Sequence, residues 1–500
     1  MRSIPAAPVP AAAPRSRRAG WWPLVVIASA HLMAILDTTV MFVALPSVQR
    51  GLHMSVTARG WVVTAYTLAL AGLLLLGGRL ADRLGARRTL LAGVAGFAVA
   101  SAIGGASVDG AMIIAARAVQ GAFGAVLISS TKSLLVRVYA DEDERAKVMG
   151  VFTATLTAGA AIGLVLGGVL TSELGWRWCL YVNVALALVA LIGAPRVLPN
   201  LPGHREVQID VWSAVLASVG MAALVYALGE ASSLGWGSAQ IAGSLAAAVV
   251  LLSAFVFRQV GHPGRLLPLR VVLDRSRGWA MAGLIVNGLS TFGMFLILTY
   301  QLQSVMRFSA MRTGLALIPF ALAAALGSAL LARLLMVRVP PRWLITGSIV
   351  VEAAGLVPLI WLTPHSHYLP LVLLAAIIEG VGTGVAGPAT LNTALVGVLA
   401  PDAGAAGAGT SAASQLGSSI GAALLNTIAV AATASYLTAH LTAGVVTATV
   451  HGFTFAMLWG AIITVAAAVP IAIFVNARTP SRSRRAPNER IRNRRRASAL

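Results

Sequence analysis

The sequence predicts an all-α integral membrane protein of fourteen transmembrane spans with both termini in the cytoplasm. Three observations carry that prediction. Hydrophobic residues make up 58% of the 500-residue chain and charged residues 11%, with a mean hydropathy of +0.84, whereas soluble domains run near a quarter charged. Apolar runs long enough to cross a bilayer, about 20 residues each, recur along nearly the whole length. The cations are also unevenly placed. Alternate connecting segments hold 31 of the 37 Lys/Arg, the other set holds 5, and Arg117 is left inside a span. That is the positive-inside pattern, and a span more or fewer would spoil it.

The elements follow in order. Residues 1–20 are Ala/Pro-rich with a few arginines, and are expected to be a disordered cytoplasmic terminus. The apolar run after them is too long for a cleavable signal and contains Asp37. Spans at 22–46, 61–78, 89–107, 112–136, 149–170 and 179–193 make an N-terminal six-helix bundle over 21–196, with Pro195 read as cutting the sixth short. Trp176, Trp178 and Tyr181 mark an outer membrane boundary, where aromatic anchors are expected. Spans at 211–228 and 239–257, within 197–260, lack intramembrane charge and are read as an inserted pair outside the transport core. Spans at 279–301, 313–335, 343–362, 369–396, 407–437 and 453–475 make a C-terminal bundle over 261–476. Residues 477–500 form an Arg-rich tail, read as a solvated segment that touches anionic lipid rather than nucleic acid.

Several chemistries are excluded. A single cysteine, Cys179, allows no intrachain disulfide and no cysteine-based metal site. Neither of the two lysines, Lys132 and Lys147, follows a glycine, so no phosphate-binding loop is present. No connection is long enough to hold a nucleotide-binding domain. The histidines are scattered, and no nucleophile constellation stands out. The chain is therefore expected to need no cofactor or metal and to be no enzyme. Ion gradients, passive flow or a separate ATPase remain as energy sources.

Charge inside the spans is the main functional signal. Asp37, Glu352 and Glu379 lie near mid-membrane. Each carries an insertion cost of roughly 2.5–3.5 kcal/mol, so each needs a partner, a water-filled cavity or a proton. Desolvation raises a carboxyl pKa in general, which is what a proton carrier requires. A permanently paired, structural acid is the competing reading for each. Arg117, a cation inside a span, is too costly to stand alone and must have a partner, with simple helix-to-helix glue as its plain reading.

Two further patterns bear on substrate. Asn287, Thr291, Met294 and Gln301 share one face of the ninth span, and Ser411, Gln415, Ser418 and Asn426 share one face of the thirteenth. Such stripes line a central cavity or hydrogen-bond neighbouring spans. Glu379 precedes a run of glycines ending at Gly387-Pro388, an easily bent segment suited to gating.

The segment Gly77-Gly-Arg-Leu-Ala-Asp-Arg-Leu-Gly-Ala-Arg-Arg88 resembles the loop signature between the second and third spans of the major facilitator superfamily. It departs at Ala86, where a base is usual. Leu36-Asp37-Thr38-Thr39-Val40, with Ala44-Leu45-Pro46 after it, resembles the first-span signature of the fourteen-span drug:proton antiporters of that superfamily. Arg117-Ala-Val-Gln120-Gly121-Ala-Phe-Gly124 is similar to the span-4 motif, whose arginine is assigned to proton relay. Gly159, Gly163, Gly167 and Gly168 resemble the exporter motif of span 5, with Leu164 in place of its proline.

The resemblance implies a gate built on Gly78, Asp82, Arg83, Gly85, Arg87 and Arg88, and two pseudo-symmetric bundles rocking around a midplane site. It implies proton coupling through Asp37 and Arg117, and Glu352 and Glu379 are added from their depth. The expected function is export of small amphipathic compounds, drugs or antibiotics, in exchange for protons. The alternative is a proton-coupled or facilitative carrier of one metabolite or nutrient. The expected setting is a bacterial plasma membrane, with protons, a small molecule and lipid as partners, no nucleic acid, and a monomer as working unit.

Overall fold

The computed structural model describes residues 20–139, 142–200, 202–203, 209–260, 266, 269–398, 403–442 and 444–476. Both expected terminal segments, 1–19 and 477–500, lie outside them. The described residues are helical and contain no strand. Helices α1 to α8 are Trp21–Gly51, Val56–Leu84, Ala86–Gly105, Gly110–Val138, Glu142–Val169, Trp178–Val197, Val211–Leu234 and Ala239–Gln259. A single turn at Leu269–Val272 precedes α9, Arg275–Tyr300. Helices α10 to α14 are Ala310–Leu335, Pro341–Leu356, Leu371–Leu395, Ala403–Ala439 and Val445–Phe474. Thirteen of these stretches are long and apolar enough to cross a membrane, and α5 contributes a shorter apolar part, Gly159–Leu174.

Caps at the helix starts explain several boundaries. Ser55, Asp109, Ser238, Asp274 and Ser309 each accept a hydrogen bond from the amide three residues on, satisfying a donor that the first turn leaves free. Between α2 and α3 a single residue, Gly85, turns the chain at φ +92°, where a side chain would be strained. One boundary differs from the sequence reading: Pro195 does not shorten α6, which runs on to Val197 and gives up only the one backbone hydrogen bond that proline cannot donate. Lys132 lies inside α4, within the fourth span as read from hydropathy.

Helices α1 to α6 pack among themselves, as do α9 to α14. The two groups meet where α2 lies along α13 and where α5 meets the part of α10 up to Leu326. Helix α7 packs on α8, α2 and α13, so the inserted pair flanks the α2–α13 seam. The apolar packing is uneven across the membrane. Towards the cation-poor face one cluster joins both groups, from Val40–Val48 and Leu164 to Met294–Leu302 and Ala310–Ala321. Towards the cation-rich face the packing divides into one cluster built mainly on α1–α6 and another on α9–α14. Apolar packing thus joins the two groups towards the cation-poor face and is divided between them towards the other.

Candidate functional site

Asp37 sits in α1 with its side chain fully buried. Arg117 of α4 donates to its Oδ2 at 2.5 Å, while Gln120 and Asn183 donate to its Oδ1, each at 2.7 Å. Arg117 also donates to the Val62 carbonyl at 3.0 Å and to Gln120 Oε1 at 2.6 Å, and its guanidinium lies 4.3 Å from the Tyr66 ring centroid. Gln120 reaches on to Ser101 at 2.7 Å. One carboxylate therefore ties α1, α4 and α6 directly, with α2 and α3 held through Arg117 and Gln120. The pair is charge-neutral and hydrogen-bonded, the condition under which a buried ion pair is tolerable.

The acids of the other half are arranged differently. Glu352 of α11 and Glu379 of α12 are both fully buried. Asn287 donates to Glu352 Oε1 at 2.5 Å and Ser290 donates to Glu379 Oε1 at 2.9 Å, so α9 supplies one donor to each. The remaining oxygens, Glu352 Oε2 and Glu379 Oε2, have no hydrogen-bond partner, and no cation pairs with either acid among the described residues. Glycines bring the two helices together. A Cβ on Gly355 would stand 2.8 Å from the Glu379 Cβ, and one on Gly382 would stand 2.6 Å from the Glu352 nitrogen. At that approach the two carboxyl groups would repel if both were charged.

The polar stripes are placed as follows. Asn287 serves Glu352, and Thr291 hydrogen-bonds Thr383 at 2.8 Å. Met294 is buried in the apolar cluster that joins the two groups towards the cation-poor face. Gln301 is buried, with both side-chain polar atoms unpartnered. On α13, Ser411 accepts a 2.5 Å hydrogen bond from Lys132 of α4, and Gln415 is half-buried. The structure brings Asn287 to the buried acids but does not gather the six residues into one cavity.

The gating residues cluster at the cation-rich face. Asp82 accepts from Arg137 at 2.9 Å, and Arg87 donates to the Leu198 carbonyl at 3.0 Å, tying α2 to α4 and α3 to the end of α6. Gly78 has open space around it, and Arg83 and Arg88 are exposed. Gly85 is the turn itself. The span-5 glycines are packing residues in this conformation: Gly159 and Gly163 face Leu32 and Thr39 of α1, and a Cβ on Gly167 would meet Val40 Cα at 2.8 Å. Gly168 faces the Met311 backbone of α10, so the motif contacts both halves.

Sequence reasoning left out several contacts. Gln120 stands in the quoted span-4 motif and Asn183 lies two residues after Tyr181, yet nothing in their spacing says that both converge on Asp37. Lys132 is exposed and reaches the other half of the molecule; its position inside a span was the available signal. Arg59 was counted as a loop cation. It is buried within α2, and its guanidinium stacks 3.6 Å from the centroid of the Tyr300 ring of α9.

Chemically, then, the molecule offers a saturated ion pair in one half and an unsaturated carboxyl pair in the other, within a fold divided on one face. The profile of the Major Facilitator Superfamily matches residues 27–425. The chain is 45% identical over 399 residues to the puromycin resistance protein pur8 of Streptomyces alboniger, covering 78% of each. It is 37% identical to the cephamycin export protein CmcT of Amycolatopsis lactamdurans, covering 75% of this chain and 78% of that one. Among solved structures, an auto-inhibited POT family peptide transporter superposes with a TM-score of 0.66 at 14% identity, covering 92% of this chain and 98% of that one; that likeness concerns the fold.

Proposed function

The chain belongs to the Major Facilitator Superfamily, a family of transporters, and we propose that it exports small amphipathic compounds of the drug or antibiotic type across a bacterial plasma membrane in exchange for protons. The names of two relatives, one for puromycin resistance and one for cephamycin export, support the direction and the class of cargo. The cation-rich face is the cytoplasmic one, the spans number fourteen, and the bundles are 21–196 and 261–476 with the inserted pair between them.

The observation that carries the coupling is the cation-free pair of Glu352 and Glu379. Two ionised carboxylates side by side in hydrocarbon, each with an unpartnered oxygen, would be prohibitively costly. The pair therefore keeps at least one proton while it is sealed. When the bundles tilt outward a proton binds from outside; when they tilt inward it leaves to the cytoplasm, and substrate makes the opposite journey. Asp37 already has its counter-charge in Arg117. Its part is to fix α1, α4 and α6 as a unit, and to part from Arg117 only if the tilt pulls them apart.

One pH unit supplies about 1.36 kcal/mol per proton and 100 mV about 2.3 kcal/mol, so one or two protons suffice for steep accumulation. Inside-out vesicles holding an acid interior test the reading, with ethidium as an amphipathic probe. Ethidium collapses the gradient in the wild type and fails to do so in Glu379→Gln. Undiminished collapse in both Glu352→Gln and Glu379→Gln removes the pair from the mechanism.

A further inference from the structure

A third kind of buried charge lies near the cation-poor face. A cavity of about 660 Å³ opens there, walled by the end of α1 and the start of α2 on one side, and by α9, α13 and α14 on the other. Arg50, His53 and Arg59 line it, and no Asp or Glu does. Arg59 is only 8% exposed, yet no carboxylate pairs with it among the described residues. Gln49 accepts from its Nη1 at 3.2 Å, the Tyr300 ring covers its face, and its Nε has no partner. The rest of the wall is largely apolar, including Val430, Leu437 and Phe453.

A buried guanidinium without an anion is electrostatically incomplete, and cation–π stacking offsets only part of its desolvation. The cavity volume falls within the range of small-molecule sites, about 300–1,000 Å³. The Arg59–Tyr300 contact also joins α2 to α9 across the two halves, so outward tilting must part it. Resting on the export reading above, we propose that this cavity is an exit-side site for amphipathic substrates bearing a carboxylate or similar acidic group. The anion takes the open edge of Arg59 and the apolar scaffold lies along α13 and α14.

The test uses the full-length protein in right-side-out phosphatidylcholine proteoliposomes, with 11-(dansylamino)undecanoate added outside and its neutral amide as comparison. The carboxylate should show saturable fluorescence above protein-free liposomes, with the amide at least about tenfold weaker, since a hydrogen bond to a charged group is worth about 1.5–3 kcal/mol. Arg59→Gln should lose a similar factor, Arg59→Lys less, and Arg177→Gln, at the same face but outside the cavity, nothing. Where Arg59→Gln fails to reconstitute, Ala434→Glu places a like charge on the exposed wall of the cavity and must weaken the carboxylate.

Equal binding of acid and amide, or unchanged affinity in Arg59→Gln or in Ala434→Glu, overturns the proposal. So does loss of probe binding when phosphatidylglycerol is added, which would make the site a lipid one. Ethidium-driven proton exchange in the same preparation keeps the two readings apart. Exchange retained without carboxylate binding sinks this site alone, whereas binding retained without exchange sinks the export reading alone.

Discussion

Asp37 and the pair of Glu352 and Glu379 are all acids buried within a helical bundle, but the two halves of the molecule treat them in opposite ways. In the first half a carboxylate accepts from Arg117, Gln120 and Asn183, and both of its oxygens are used. In the second half each carboxyl group accepts from one side chain of α9, keeps one oxygen unpartnered and has no cation among the described residues. The first arrangement is stable with its charges in place. The second leaves each acid without a counter-charge among the described residues. On the proposed reading, it is the lack of a fixed counter-charge, and not depth in the membrane, that suits an acid to carrying protons.

The contrast can be pressed hardest at the unsaturated pair. Glu379→Gln and Glu352→Gln should each abolish ethidium-driven proton exchange while leaving the thermal unfolding midpoint in detergent unchanged or raised, because an amide needs no proton to stay buried. A midpoint lowered as far as by loss of Asp37 would erase the distinction between the halves. Next in size, Asp37→Ala strands Arg117 among five helices and should cost about 3–5 kcal/mol, the usual penalty for breaking a buried pair. Asp37→Ala combined with Arg117→Leu should recover much of that loss, because no charge is then left alone. An additive double mutant would mean that the two residues act separately.

Smaller effects test how tightly the first half is braced around Asp37. Gly167→Leu pushes a side chain against the Val40 backbone and should destabilise by about 1–3 kcal/mol, read as a lowered midpoint. Asn183→Leu removes one of three donors to Asp37 and should cost about 0.6–1.7 kcal/mol, the range for hydrogen bonds between membrane helices. Asp82→Asn should cost least, below about 1 kcal/mol and less at high salt, since Asp82 and Arg137 are 43% and 25% exposed. A larger loss there would make the turn between α2 and α3 a structural clamp equal to the buried one.

Much of this was readable before any coordinates. Hydropathy and the placement of cations mark the helices, because hydrocarbon forbids charge and leaves no alternative to helix or barrel. Asp37, Arg117, Glu352 and Glu379 announce themselves for the same reason: each is an expensive residue in an apolar run. Periodicity puts Asn287 and Thr291 on one face of a span. It does not say what that face meets, and Asn287 turns out to serve Glu352.

Partnership was not readable. Asp37 and Asn183 are separated by 146 positions, Asn287 and Glu352 by 65, and nothing local couples such distances. Arg59 and Arg117 read alike, a cation near or in a span, yet packing gives a carboxylate to one and an aromatic ring to the other. Composition settles that these charges lie in the membrane, because solvation is a property of each residue and its neighbours along the chain. Which charge is cancelled, which is protonated and which is left open depends on which helices touch, and that is fixed by three-dimensional packing.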